Sequence, residues 1–128
     1  MSDETGFDIE AARRTYRARL AARRAADRDR RDKARQEADS IIAMIVERYD
    51  PKRVIQWGSV LGPDDRFTEM SDIDIAVEGV NDPAEWSRLE RDVLDASTFP
   101  VDLLRVETVL PEHLSVILRR GRVVYERP

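Results

Sequence analysis

Three aspartates and a Gly-Ser pair carry the chemistry that this sequence can offer. Asp72 and Asp74 stand one residue apart in SDIDIAVE, Asp102 interrupts the apolar run FPVDLLRV, and Gly58-Ser59 directly follows RVIQW. A carboxylate taken out of water without a partner is strongly disfavoured, so acids inside strand-like apolar runs need a compensating charge. Side chains alternate along a strand, which puts Asp72 and Asp74 on one side and Ile73, Ile75 and Val77 on the other. Two strand rises separate the two acids by roughly 6 to 7 Å, within reach of one hard cation. Oxygen-only donors suit Mg²⁺ or Mn²⁺ rather than zinc. With Asp102 on a neighbouring strand, a two-metal site becomes available, Asp72 and Asp74 bridging both ions and Asp102 completing one of them. Such a site supports in-line phosphoryl or nucleotidyl transfer. Gly58 permits a tight turn and close backbone approach, and Ser59 can cap a short helix whose free N–H groups attract phosphate, so the pair is suited to a triphosphate tail. A Walker loop, GxxxxGK[ST], is absent.

Each part alone has an ordinary explanation. Gly-Ser is common loop punctuation, and Asp-x-Asp at a strand edge can be a solvated rim or a turn. What points to chemistry is the order: strand, Gly-Ser, about a dozen residues, Ser-Asp-Ile-Asp-Ile, helix, strand with a central Asp.

The elements that must position these residues are legible. RVIQW, DIDIAVE, VDLLRVE and RVVYE read as four strands. Between the second and third, PAEWSRLERDVLDAS places Trp86, Leu89, Val93 and Leu94 on one helical face. Between the third and fourth, PEHLSVILRRG opens with Pro and Glu and closes with Arg119, Arg120 and Gly121, which are helix start and stop signals. Ahead of them, residues up to Tyr49 have no Pro and no Gly after Gly6, and are rich in Ala and Arg, which predicts one long helix ending before Asp50-Pro51. Only its last three turns carry a core-facing stripe: Ala38, Ile41, Ile42, Ile45, Val46 and Tyr49. The expected fold class is α+β, a small mixed sheet of about four strands with flanking helices and a long N-terminal helix. Residues 1–37 are expected to form a charged helical arm, and residues 38–128 the functional domain.

The whole chain sets bounds on function. Its 128 residues suffice for one core but not for a catalytic domain plus a large substrate domain. The absence of cysteine excludes disulfides and thiolate metal sites, and the lone His113 excludes a multi-histidine site. No apolar run approaches a membrane span and the first residues lack a signal-peptide pattern, so the expected compartment is the cytoplasm. Residues 1–40 hold 11 of 22 basic and 9 of 26 acidic residues, an arm of +2 against a body of −6.

The set Gly58-Ser59, Asp72-x-Asp74 and Asp102 resembles the nucleotidyltransferase superfamily that includes DNA polymerase beta, and at this length most of all its minimal nucleotidyltransferase (MNT) branch. The resemblance spans roughly residues 38–128. It implies a polymerase beta-like fold, with Gly58 and Ser59 holding nucleotide phosphates, Asp72 and Asp74 binding metal and triphosphate, and Asp102 helping to activate an acceptor hydroxyl. Where relatives carry Ala-Arg-Gly after the Gly-Ser, this chain has Val60-Leu61-Gly62-Pro63, leaving Arg66, Lys52 and Arg53 as candidate phosphate contacts. Many MNT proteins are antitoxins that silence a HEPN-type ribonuclease toxin by moving AMP from ATP onto a tyrosine. The resemblance therefore implies a Mg²⁺-dependent protein adenylyltransferase with ATP as co-substrate and a HEPN-type toxin as partner. Two rivals are a non-catalytic antitoxin that acts by binding its partner and an adenylyltransferase of a small molecule.

In the arm, Arg13, Arg14, Arg17, Arg19, Arg23 and Arg24 form a run without acids. Aspartates interrupt it from Asp27 onward and aromatics do not interleave, which favours a solvated or partner-docking helix over nucleic-acid binding. Pairs such as Asp29 with Lys33 and Lys33 with Glu37 can support it, and it could join a second copy of the chain into a homo-oligomer. His113 reads as a surface or cap residue, and Trp57 and Trp86 as core.

Overall fold

The computed structural model describes residues 7–58 and 72–128. In chain order these form α1 (Ile9–Tyr49), β1 (Arg53–Trp57), β2 (Ile73–Glu78), α2 (Pro83–Ala96), β3 (Val101–Arg105), a 3₁₀ turn (Val106–Thr108), α3 (Pro111–Arg120) and β4 (Arg122–Glu126). The strands make one mixed sheet of order β3-β2-β1-β4, with β2 antiparallel to β1, β4 antiparallel to β1, and β3 parallel to β2. The α+β class, the four strands and the long N-terminal helix are as expected from the sequence.

Local chemistry explains the boundaries. Asp8 caps α1 by accepting from the Ala11 N–H at 3.1 Å, and α1 ends where Asp50 turns left-handed at φ 44°, just before Pro51. Asp82 caps α2 through the Glu85 N–H at 3.1 Å, with Pro83 in the first turn. At Gly121, a Cβ would overlap the Gln56 carbonyl and stand 2.8 Å from Trp57 Cβ, so only glycine lets α3 turn into β4 this close to β1.

The sheet has two unlike faces. On one, Val54, Ile73, Ile75 and Val77 pack with Ala34, Ala38, Ile41, Ile42 and Ile45 of α1 and with Leu89 and Val93 of α2. On the other, Ile55 and Ala76 pack with Val106 and Ile117, partly covered by Trp57, Leu104 and Leu114. Ala34 and Ala38 are fully buried in this layer, and truncating a fully buried residue such as Ile45 to Ala is worth about 2–5 kcal/mol.

Several sequence expectations change in detail. Leu94 is 74% exposed, because it lies about 100° round the helix from Val93 and past the edge of the buried stripe. The third strand stops at Arg105, where the chain tightens into the 3₁₀ turn and the Glu107 carboxylate accepts from the Gly79 N–H at 2.8 Å. Lys33 pairs with Asp29 at 3.1 Å, whereas Glu37 turns to the body and accepts from Thr98 N (2.5 Å), Thr98 Oγ1 (2.5 Å) and Phe99 N (3.1 Å). Burial in α1 begins at Arg31 and Ala34, one to two turns before the composition changes.

Candidate functional site

Antiparallel pairing puts the C-terminal end of β1 beside the N-terminal ends of β2 and β4, and parallel pairing puts the start of β3 there too. That end of the sheet gathers the residues of interest. Asp74 is the register partner of Trp57 on one side and of Asp102 on the other. Residues paired in this way point to the same face, and since Ile73, Ile75 and Val77 serve the α1 face, Asp74 belongs to the α3 face. Asp72 lies just before β2 and is exposed, as is Asp102, while Asp74 is half-buried.

Gly58 follows β1 at φ 92°, a left-handed conformation that glycine adopts without strain. A Cβ at this position would overlap the Asp74 carboxylate. Gly58 is thus needed both for its backbone angle and for the space in which Asp74 sits. Ser59 and Arg66 lie outside the described residues. Lys52 and Arg53 stand at the opposite end of β1 from Gly58, with Arg53 Nε paired to Glu78 Oε1 at 2.9 Å, so neither is placed to contact a phosphate at Gly58.

Electrostatics ties the three acids together. Asp74 is pushed up from 3.8 to about 6, first by burial, then by the Asp102 charge and then by Asp72. No described cation or hydrogen bond offsets those effects. Charge and donor type therefore fit a hard divalent ion at Asp74. Among the described residues, however, no three acids or histidines are arranged to hold one unaided. Mg²⁺ typically takes one or two carboxylates and completes its shell with water and substrate phosphate, which is compatible with this arrangement.

Beside Asp102 opens a cleft of about 560 Å³, lined on its apolar side by Trp57, Leu104, Val109 and Ile117, with His113 on its wall. This size and lining suit an organic side chain or ring. Neither His113 nor Trp57 stood out in the sequence as a cleft residue. The helical spacing of His113 with Ile117 carried the signal, but only the packing of α3 over β1 shows which groove they share.

No protein-family model matches the sequence, and no curated protein matches it. Among solved structures, a chain from the complex of tri-AMPylated Shewanella oneidensis HEPN toxin with MNT antitoxin is similar, with a TM-score of 0.53 and 18% identity over 73% of each chain. At that identity the likeness is one of fold. Among the described residues no helix is long and apolar enough to cross a membrane.

Proposed function

We propose that this chain is a divalent-metal-dependent nucleotidyltransferase that moves AMP from ATP onto a hydroxyl of a partner protein, the tyrosine of a HEPN-type ribonuclease toxin, and so acts as its antitoxin. The observation that carries the reading is the Asp74 carboxylate: half-buried, in register with Asp102, close to Asp72, backed by a glycine that leaves it room, and without a described countercharge. Gathering such charge at one sheet end costs stability, which supports a site that a cation or a reaction uses. The fold likeness to the toxin–antitoxin complex supports the choice of partner.

In this reading Asp74, with Asp72 and Asp102, would hold Mg²⁺, which supplies a Lewis acid for phosphate oxygens. Gly58 and Ser59 would receive the phosphates. The acceptor hydroxyl, entering from the cleft beside Asp102, attacks the α-phosphorus. The bond from that phosphorus to the oxygen bridging to the β-phosphate breaks, pyrophosphate leaves, and the hydroxyl proton passes to the Asp102 carboxylate.

Incubating the protein with Mg²⁺, labelled ATP and the product of the adjacent gene, the proposed toxin, tests this. Label should appear on a toxin tyrosine, vanish with Asp72→Ala plus Asp74→Ala, and fall by about 10²–10⁴ with Asp102→Ala, the range of a lost general base. Neutralisation that survives the double substitution without label would instead establish an antitoxin that works by binding alone.

A further inference from the structure

The sheet has two edges of unlike character. On one side, β4 breaks register against β1 between Val54 and Ile55 and carries Arg122 and Glu126 at its ends, features that guard an edge against a further strand. On the other side, β3 runs in unbroken register with β2 from Val101 to Arg105, and among the described residues no strand pairs with its outer side. The Ile73 N–H donates to the Pro100 carbonyl at 2.9 Å. By alternation the backbone groups of Asp102 turn towards β2, while the N–H and C=O of Val101 and Leu103 turn outwards.

Two cavities flank this edge. A groove of about 440 Å³ runs between β3 and α2, with Leu94, Phe99, Val101 and Leu103 along it. Val101, Leu103 and Phe99 pack on the side of α1 and α2, so the groove opens on that face, whereas the cleft of Trp57 and His113 opens on the face of α3. Asp102 lines both, because it stands at the edge between them. A strand laid along β3 would alternate its side chains between the two. Those turned to α2 would enter the apolar groove, where Leu94 is left exposed although its neighbours Leu89 and Val93 are buried. The side chain opposite Asp102 would lie within about 5 Å of it, Cβ to Cβ, on the face where Asp74 stands. Charge selects the occupant. Among the described residues the charged lining of the groove is Glu90 and Asp102, both acids, which fits a basic segment. A second copy of this chain fits poorly, since it would bring another Glu90 and Asp102 to a groove with no cation of its own among the described residues.

We infer that the outer edge of β3 docks an extended segment of the acceptor protein as a fifth strand, with apolar side chains seated beside Leu94, basic side chains meeting Glu90, and the acceptor residue turned over Asp102. The choice of an acceptor protein rests on the nucleotidyl-transfer reading above, to which this adds how the partner presents its hydroxyl. Main-chain hydrogen bonds to Val101 and Leu103 supply affinity with little regard to sequence, and the groove under α2 supplies selectivity. An aromatic side chain laid across Asp102 reaches further towards Asp74 on the next strand than a serine does, which favours a tyrosine hydroxyl.

Amide hydrogen exchange followed by NMR on the full chain, alone and with the product of the adjacent gene, provides the test. The Val101 and Leu103 amides should exchange about tenfold or more slowly in the complex than in the free chain, while the Asp102 amide, already turned to β2, changes less. Leu94→Lys plus Glu90→Lys should weaken the complex by about tenfold or more. Both positions are exposed, and thermal melting verifies that the double variant folds. A complex that leaves both amides unprotected, or that the folded double variant forms as tightly as wild type, overturns the docking, as does failure to form a complex. Protection of the same amides in the chain alone, lost on dilution, would assign the edge to a second copy and overturns it too. Label that reaches the partner without protection of the edge sinks the docking and leaves the transfer reading standing; protection of the edge without label does the reverse.

Discussion

A carboxylate that folding moves from open water to a place between two other carboxylates resists ionising. For Asp74 the sign of the consequence follows from the direction of its shift, from 3.8 up to about 6. Between about pH 4 and pH 6 the native state keeps a proton that the unfolded chain has released, so stability falls as pH rises through that window, and above pH 6 the whole penalty is present. Asp74→Asn should therefore raise the stability of the metal-free protein at pH 8 by about 1 kcal/mol after allowance for solvent screening, while abolishing transfer. The gain should vanish near pH 3.5. Melting curves of the two proteins across pH 3.5–8 check this, and Mg-ATP should stabilise wild type more than the variant. A gain that persists at pH 3.5 would show that the substitution acts by packing rather than charge.

At the scale of elements, α1 serves the site from a distance. Its Glu37 accepts three hydrogen bonds from Thr98 and Phe99, the residues that lead through Pro100 into β3 and so aim Asp102. Further along, Tyr49 donates to Asp92 Oδ2 at 2.5 Å and Arg48 stands 3.4 Å from the same oxygen, joining α1 to α2. Burial and the Asp92 contact push the Tyr49 hydroxyl up to about 12. Glu37→Ala should cost about 0.5–1.5 kcal/mol, because water replaces the lost acceptor at the exposed Thr98 donors, and denaturant titration would measure it. Because the loss falls on the approach to β3, transfer should decline further than the stability loss alone accounts for. Unaltered turnover in the folded variant would separate α1 from the site.

These elements differ in how plainly the sequence announces them. Strand and helix limits follow from alternation, Pro and Gly, and RVIQW and RVVYE match β1 and β4 residue for residue. The acids were visible because they break an apolar pattern. The cavity lined by Arg35, Arg120 and Arg122 was not visible, since these are ordinary surface arginines in one dimension and meet only when β4 pairs with β1. Glu37 was misassigned to Lys33 because helical spacing records neighbours on one helix and is blind to a loop 61 residues away.

For the whole molecule, the division of labour lies along α1. Its 41 residues span about 60 Å, and no residue before Arg31 is buried among those described. Ion pairs at one-turn spacing, Arg13 with Glu10 (3.6 Å) and Arg30 with Asp27 (2.9 Å), decorate that half without anchoring it. Removal of residues 1–24 should accordingly change the melting temperature little, yet weaken the complex with the proposed toxin partner, as size-exclusion chromatography of the pair would show. Removal of residues 1–33 is a poorer experiment because it deletes the buried Arg31. An undiminished complex after the shorter truncation would assign partner binding to the sheet and α3. The parallel pairing of Asp74 with Asp102 has one more consequence. A slip of β3 by a single residue would send Asp102 to the opposite side of the sheet while leaving a chain of nearly unchanged secondary structure. The proposed transfer activity would therefore report on correct strand alignment, and a misfolded population would be silent in transfer assays well before it became visible by circular dichroism.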